Sequence, residues 1–164
     1  MVIDGHNLIP RIPGIDLSDP DDEEKLIGLL QEYCRVRRKK IEVFFDGAQA
    51  GWAGVQRYGL VKAHFVRVTN QGNDADRAII AYLTKLKKGA KNITVVSSDR
   101  EVAAASRSMQ AEVISSEEFA KQLQKLKEHE PELDPRQQRL TEDEIKEWAQ
   151  LFARGSEKDR TADK

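Results

Sequence analysis

The sequence predicts an α/β fold, a three-layer α/β/α sandwich around a parallel sheet of about five strands. Three observations predict it. Short apolar runs alternate along the chain with stretches of helical periodicity, the order that strand–helix–strand crossovers produce. Ile41–Phe45 is almost continuously apolar, as a parallel strand covered on both faces should be. And the runs ending at Asp4, Asp46 and Asp99 each deliver an acid where a parallel sheet presents the carboxyl ends of its strands.

Residues 1–4 form the first strand, followed by Gly5, which is able to take a sharp turn. Pro10, Pro13, Gly14 and the Asp16–Asp22 stretch make a loop, and Ser18, Asp19 and Pro20 open a helix. Leu26, Leu29, Leu30 and Tyr33 carry that helix to about Arg38. Its basic end, Arg35 to Lys40, suits the helix dipole and reads as a solvated terminus at the wrong edge of the sheet for substrate. After the second strand, Ile41–Phe45, four glycines between 47 and 59 mark a flexible connection carrying Trp52, Arg57 and Tyr58. Val61–Val68 alternates in places and reads as a third strand near an edge. Asn70–Asn73 is a turn, and Ile79, Ile80, Leu83 and Leu86 give a second helix starting at Asp74. Ile93–Ser97 is the fourth strand. Ser98 with Glu101 fits a capping box for a third helix. Glu112–Ile114 is a short fifth strand, and Ser115 or Ser116 caps a helix through Phe119, Leu123 and Leu126. Two prolines and many charges then mark Glu128–Arg139 as a linker. Thr141 and Glu144 fit another capping box, with Ile145, Trp148 and Phe152 striping a last helix before a polar tail.

At 164 residues this is one ordinary domain with an appendage, 39% hydrophobic and 34% charged. A net charge of -1 argues against wholesale polyanion binding but leaves room for a local basic rim. Cys34 stands alone, which excludes an intrachain disulfide framework and a thiolate zinc cage. With no stretch long enough to span a membrane and a strand at residue 1 where a signal peptide would lie, a cytoplasmic protein is expected.

The acids carry the chemistry. Each has a structural use: Asp4-Gly5 and Asp46-Gly47 as turn pairs, Asp74 as a cap, Asp99 as first-turn dipole compensation. Asp74 and Asp76 open a helix, and a βαβ connection returns that end to the same edge as Asp4, Asp46 and Asp99. No Lys or Arg lies within Asp4–Asn7 or Asp46–Ala50. Carboxylates so crowded repel unless protons or a cation neutralise them, and Mg²⁺ or Mn²⁺ takes such oxygen ligands. His6 and His64 are isolated, His129 lies in the linker, and no His cluster offers a zinc site. The chain carries no P-loop, nucleophile elbow or Rossmann glycine fingerprint.

These motifs resemble a known family. Val2-Ile3-Asp4-Gly5-His6-Asn7 resembles the opening "V-D-G-Y-N" of NYN-domain nucleases, in the YacP-like branch related to PIN domains. Val43-Phe44-Phe45-Asp46-Gly47 is similar to its "V-F-D" motif, and Asp74-Ala75-Asp76-Arg77-Ala78-Ile79 to its "A-D-x-x-I" helix start. Val95-Val96-Ser97-Ser98-Asp99 resembles "V-x-S-D", and Leu140–Phe152 the branch's C-terminal helix. His6 departs from the usual Tyr. The resemblance implies a PIN-like sheet of order 3-2-1-4-5 and a divalent-metal-dependent endoribonuclease acting on single-stranded RNA, on the ribosome or free of it. A nuclease domain over 1–128 then precedes the 129–164 appendage, whose helix spans about 141–153.

On this expectation Asp4, Asp76 and Asp99 hold Mg²⁺ or Mn²⁺, with Asp74 and Asp46 as outer ligands or orienting the attacking water. Asn7 bonds near the scissile phosphate, and metal-activated water leaves a 5′-phosphate and a 3′-hydroxyl. Arg11, Arg57, Arg67, Arg77, Ser98 and Arg100 are the candidate RNA contacts, with Ser97 also able to touch phosphate. Trp52 and Tyr58 are candidate stacking platforms for bases. Two other classes compete. A non-catalytic RNA- or ribosome-binding adaptor would use the same fold. A receiver-like or haloacid-phosphatase-like phosphoryl-transfer protein would need a second acid after Asp4 or a late pairing Lys.

Overall fold

A computed structural model of the chain describes residues 1–48, 53–67 and 74–129, with side chains except at 48 and 127–129. Met1–Lys127 forms one compact unit. Its elements are β1 (Val2–Asp4), α1 (Gly5–Leu8), α2 (Asp22–Arg37), β2 (Ile41–Ala48), β3 (Gly54–Tyr58), β4 (Val61–Arg67), α3 (Asp74–Leu86), β5 (Thr94–Val96), α4 (Arg100–Ser108), β6 (Glu112–Ile114) and α5 (Ser116–His129). Trp52, the turn Asn70–Asn73 and the expected helix at 141–153 lie outside the described residues. None of the described helices is long and apolar enough to cross a membrane.

The sheet runs β3-β4-β2-β1-β5-β6. Every pair is parallel except β3 with β4. Leaving out β3, this is the expected five-strand order. The sixth strand corrects the expected flexible connection: Gly54–Tyr58 folds back antiparallel on β4, with Tyr58 opposite Val61. Gly59, at φ +61, supplies the left-handed residue that so tight a hairpin needs. The strand escaped the sequence pattern because Gly54–Arg57 is exposed throughout, so no residue alternates into a core. Beyond the expected Phe45, β2 continues to Ala48 past an irregularity that contains Gly47 at φ +86.

Alternate residues of the central strands feed two cores. Ile3, Val43, Phe45 and Val96 pack with Leu26, Leu30 and Tyr33 of α2 and Phe119 and Leu123 of α5. Val2, Phe44 and Val95 pack with Ile79 and Leu83 of α3 and Val102 of α4. Period-two alternation therefore puts Asp4 on the side of Val2, toward the layer in which α3 and α4 begin.

Gly5 is needed for a different reason from the turn expected of it. A Cβ there would lie 2.3 Å from the Phe45 ring and 2.9 Å from the Phe44 carbonyl oxygen. The β1–α1 junction presses on β2 too closely for any side chain.

Candidate active site

Asp4 ends β1 at 5% exposure. Its Oδ1 accepts from the Asn7 backbone N–H at 3.2 Å, so it caps α1, and its Oδ2 accepts from Ser97 Oγ at 3.1 Å. Burial raises its carboxyl above the ordinary range, and these two hydrogen bonds oppose that rise.

Asp76 lies in the first turn of α3, one residue after the buried Ala75. Its carboxyl is pushed up to about 6, first by burial and then by Asp4, Asp99, Asp46 and Glu101 in that order. Four carboxylates from β1, β2 and the start of α4 thus act on one in α3, and the strand-end acids share a single field. Glu101 is the member that sequence reasoning used only as a helix cap. Its place two residues after Asp99 was the available signal.

Asp99 is the N-cap of α4. Its Oδ1 accepts from Glu101 N at 2.8 Å and Val102 N at 3.0 Å. The expected capping box at Ser98 is therefore displaced by one residue, and the cap uses only one carboxylate oxygen. Ser97 Oγ accepts from Asp99 N at 3.0 Å while donating to Asp4, so one hydroxyl sets the spacing between two of the acids. Asp74 opens α3 and is buried.

Asp46 is not left to repel its neighbours alone. His6 Nδ1 stands 2.7 Å from Asp46 Oδ1, and Nε2 stands 3.5 Å from Glu23 Oε1 of α2. A carboxylate facing each ring nitrogen favours the protonated imidazolium, which can donate on both sides. Glu23, and after it Asp46, raise its pKa to about 9 against the opposing effect of burial. The expectation that His6 and His64 are isolated is thereby corrected for both, since His64 Nε2 faces Glu42 of β2 and its ring stacks on Phe44. The cation missing from the Asp4–Asn7 turn as Lys or Arg is present as histidine.

Asn7 braces the site. Its Oδ1 accepts from Ser98 N at 2.9 Å and from Ser116 Oγ at 2.7 Å. A backbone N–H can only donate, so the amide orientation is fixed, and its NH₂ group points away from these partners. Ser98 Oγ donates to Glu117 and accepts from Ser116 N, while Ser115 Oγ caps α5 through Glu118 N. Arg11 Nε lies 2.9 Å from Glu117 Oε1. Asn7, Ser98 and Arg11 thus tie α1, the β5–α4 turn and the start of α5 together.

The remaining cations divide. Arg77 and Arg100 are exposed in the first turns of α3 and α4, and Arg67 is exposed at the carboxyl end of β4. Arg57 is not brought to this edge. It sits opposite Lys62, whose own partner on β2 is Glu42, near the amino end of the sheet. Tyr58 lies there too, its hydroxyl on Gln56 and its ring against the core, so packing is its use.

Oxygen donors, burial and mutual repulsion are the chemistry of a hard divalent cation site. Among the described residues no three His, Cys, Asp or Glu side chains close into a ligand cage. An open acidic cluster of this kind fits an ion that keeps several of its own waters, as Mg²⁺ does.

Comparison with known proteins agrees with the fold. Rae1 (YacP) from Bacillus subtilis has a crystal structure similar to this chain, with a TM-score of 0.65 and 21% identity over 98% of this chain and 94% of that one. A point mutant of the same protein matches at a TM-score of 0.58 and 22% identity, covering 77% and 76%. No curated protein matches the chain. The model of the YacP-like NYN domain matches residues 1–154, so the chain belongs to that family of nuclease-fold proteins.

Proposed function

We propose that this protein is a divalent-metal-dependent endoribonuclease that cleaves single-stranded RNA at the edge where β1, β2 and β5 end. The observation that carries the reading is the convergence of acids from separate segments: Asp4 at the end of β1 and Asp99 before α4 share the Ser97 hydroxyl, and Asp4, Asp99 and Asp46 all act with burial to raise Asp76 of α3. A fold retains such repulsion where charge is needed for function.

Asp4, Asp76 and Asp99 are the residues that would hold Mg²⁺ or Mn²⁺, with Asp74 as an outer ligand. Bound there, the ion supplies Lewis-acid stabilisation of phosphate charge and makes water more acidic. Ser97 keeps Asp4 and Asp99 at a fixed spacing. Asp46, held by His6, and Asp74 orient water on the attacking side of the phosphodiester. The Asn7 NH₂ group, its carbonyl already anchored, is a preorganised donor for a phosphate oxygen. Arg67, Arg77 and Arg100 steady the RNA backbone on either side of the cut. The products are a 5′-phosphate and a 3′-hydroxyl. We take 1–128 as the catalytic domain and 129–164 as the appendage, with RNA, free or on the ribosome, as the partner and the cytoplasm as the compartment.

Asp4→Asn and Asp76→Asn should each lower the cleavage rate of a single-stranded RNA by at least about a hundredfold, with the fold intact by circular dichroism. Cleavage at wild-type rates in both variants would overturn the site. RNA binding without cleavage in the wild-type protein with Mg²⁺ and Mn²⁺ would assign an adaptor instead.

A further inference from the structure

We propose that the amino-terminal edge of the sheet, opposite the carboxylates, is a second contact surface for the RNA backbone, an inference that rests on the nuclease reading above. Five of the six residues from Arg35 to Lys40 are cationic, and Arg37, Arg38, Lys39 and Lys40 are exposed. The β3–β4 hairpin adds Arg57 to them. Lys40 and Arg57 line one open cavity of about 330 Å³, and its walls Gly59 and Leu60 also line a neighbouring cavity of about 600 Å³ that includes Arg35. Two segments distant in sequence therefore build one basic surface. Two acids lie nearby: Glu42, already engaged by Lys62 at 3.3 Å and by His64, and Glu32, which lines the larger cavity and faces Arg35 at 4.0 Å, so the cations that define the surface are Arg38, Lys40 and Arg57 rather than Arg35.

Two further features favour a ligand over a merely solvated helix end. Arg38 takes the left-handed conformation, φ 51 and ψ 37, at the C-cap of α2, where glycine or asparagine is favoured. A positive charge thus occupies a position whose backbone prefers another residue. The chain as a whole has a net charge of only -1, and its catalytic edge carries Asp4, Asp46, Asp76, Asp99 and Glu101. A polyanion approaching that edge meets repulsion, so capture needs cations elsewhere. From Ile41 to Asp46 the separation is about 16 Å along the strand. The β3–β4 ribbon spans it, with Arg57 toward one end and Arg67 at the other. A single strand long enough to follow that ribbon touches both edges.

The test is the full chain with Arg38→Glu, Lys40→Glu and Arg57→Glu combined. Affinity for a labelled single-stranded RNA of about 30 nucleotides is measured in EDTA across a salt series, where binding is read without cleavage. The variant should bind at least about tenfold more weakly, and its log–log salt slope should fall by about 2, three phosphate contacts at about 0.7 each. With Mg²⁺, KM for the long RNA should rise while kcat holds, and an RNA of about five nucleotides should be cleaved as by the wild type. Weakened binding in a protein that cleaves nothing would keep this surface and reject the nuclease reading. Equal affinity and slope in a folded variant would overturn the surface, even if the variant had lost an acidic protein partner. So would a wild-type chain that fails to bind the long RNA.

Discussion

Asp76→Asn should make the protein more stable at neutral pH when no divalent ion is present. Asp76 is raised from 3.8 to about 6, so its charged form is disfavoured in the fold. Below about pH 4 the carboxyl is protonated in folded and unfolded chains alike and costs nothing. Between about 4 and 6 the folded chain binds the extra proton, so stability falls as pH rises, and above 6 the full penalty persists. About two pK units correspond to about 3 kcal/mol as a ceiling. Asp76 is partly exposed, and solvent screening reduces this to about 1–1.5 kcal/mol. For a chain of this size that is a rise of about 2–6 °C in Tm. Thermal melts in EDTA at pH 7.5 should show the variant above the wild type, and melts at pH 4 should bring the two together. Mg²⁺ should then raise the wild-type Tm and leave the variant little changed, because the ion stabilises only the chain that binds it. A variant less stable than wild type at pH 7.5 in EDTA would refute the electrostatic reasoning, since the four neighbouring acids would then not be repelling Asp76.

Three further outcomes separate structure from chemistry. Asp99→Ala removes the α4 cap and should cost about 1 kcal/mol in urea melts along with cleavage, whereas Asp99→Ser should keep the cap and the stability while losing cleavage. His6→Gln should destabilise the protein below about pH 7, with the difference disappearing as pH rises through 9, because a base whose pKa is raised from 6.5 to about 9 contributes fully only below its unfolded value. A gap that stays constant up to pH 10 would mean that packing against Phe45, rather than charge, is what His6 supplies. Gly5→Ala should cost about 1–3 kcal/mol by urea denaturation, since Phe45 and the Phe44 carbonyl must move to admit one methyl group.

What the sequence revealed and what it hid have separate physical causes. Strand-end acids were legible because a parallel sheet has one carboxyl edge, so Asp4, Asp46 and Asp99 followed once the apolar runs were recognised as strands. The order of those five strands came with the family resemblance. β3 was hidden because an exposed edge strand buries nothing and leaves no alternation to see. His6 was misjudged for another reason: its partners, Glu23 and Asp46, are 17 and 40 residues away, and no local pattern reports a pairing across the fold. Still larger separations in sequence concealed Arg11 with Glu117, and Asn7 with Ser116. Gly5 was correctly singled out, but the cause is the ring of Phe45, which only coordinates disclose. The displacement of the α4 cap from Ser98 to Asp99 is a one-residue matter, decided by which side chain reaches two backbone N–H groups while the other serves α5.

On the proposed function, the crowded acids hold a divalent cation for the hydrolysis of RNA. The most direct measurement is incubation of the purified full chain with a 5′-labelled single-stranded RNA, with Mg²⁺ or Mn²⁺ and with excess EDTA, alongside Asp4→Asn. Internal cuts carrying 3′-hydroxyl ends should appear with the metal and vanish with EDTA and in the variant. Cutting that persists in EDTA, or that Asp4→Asn performs as well as the wild type, would contradict it.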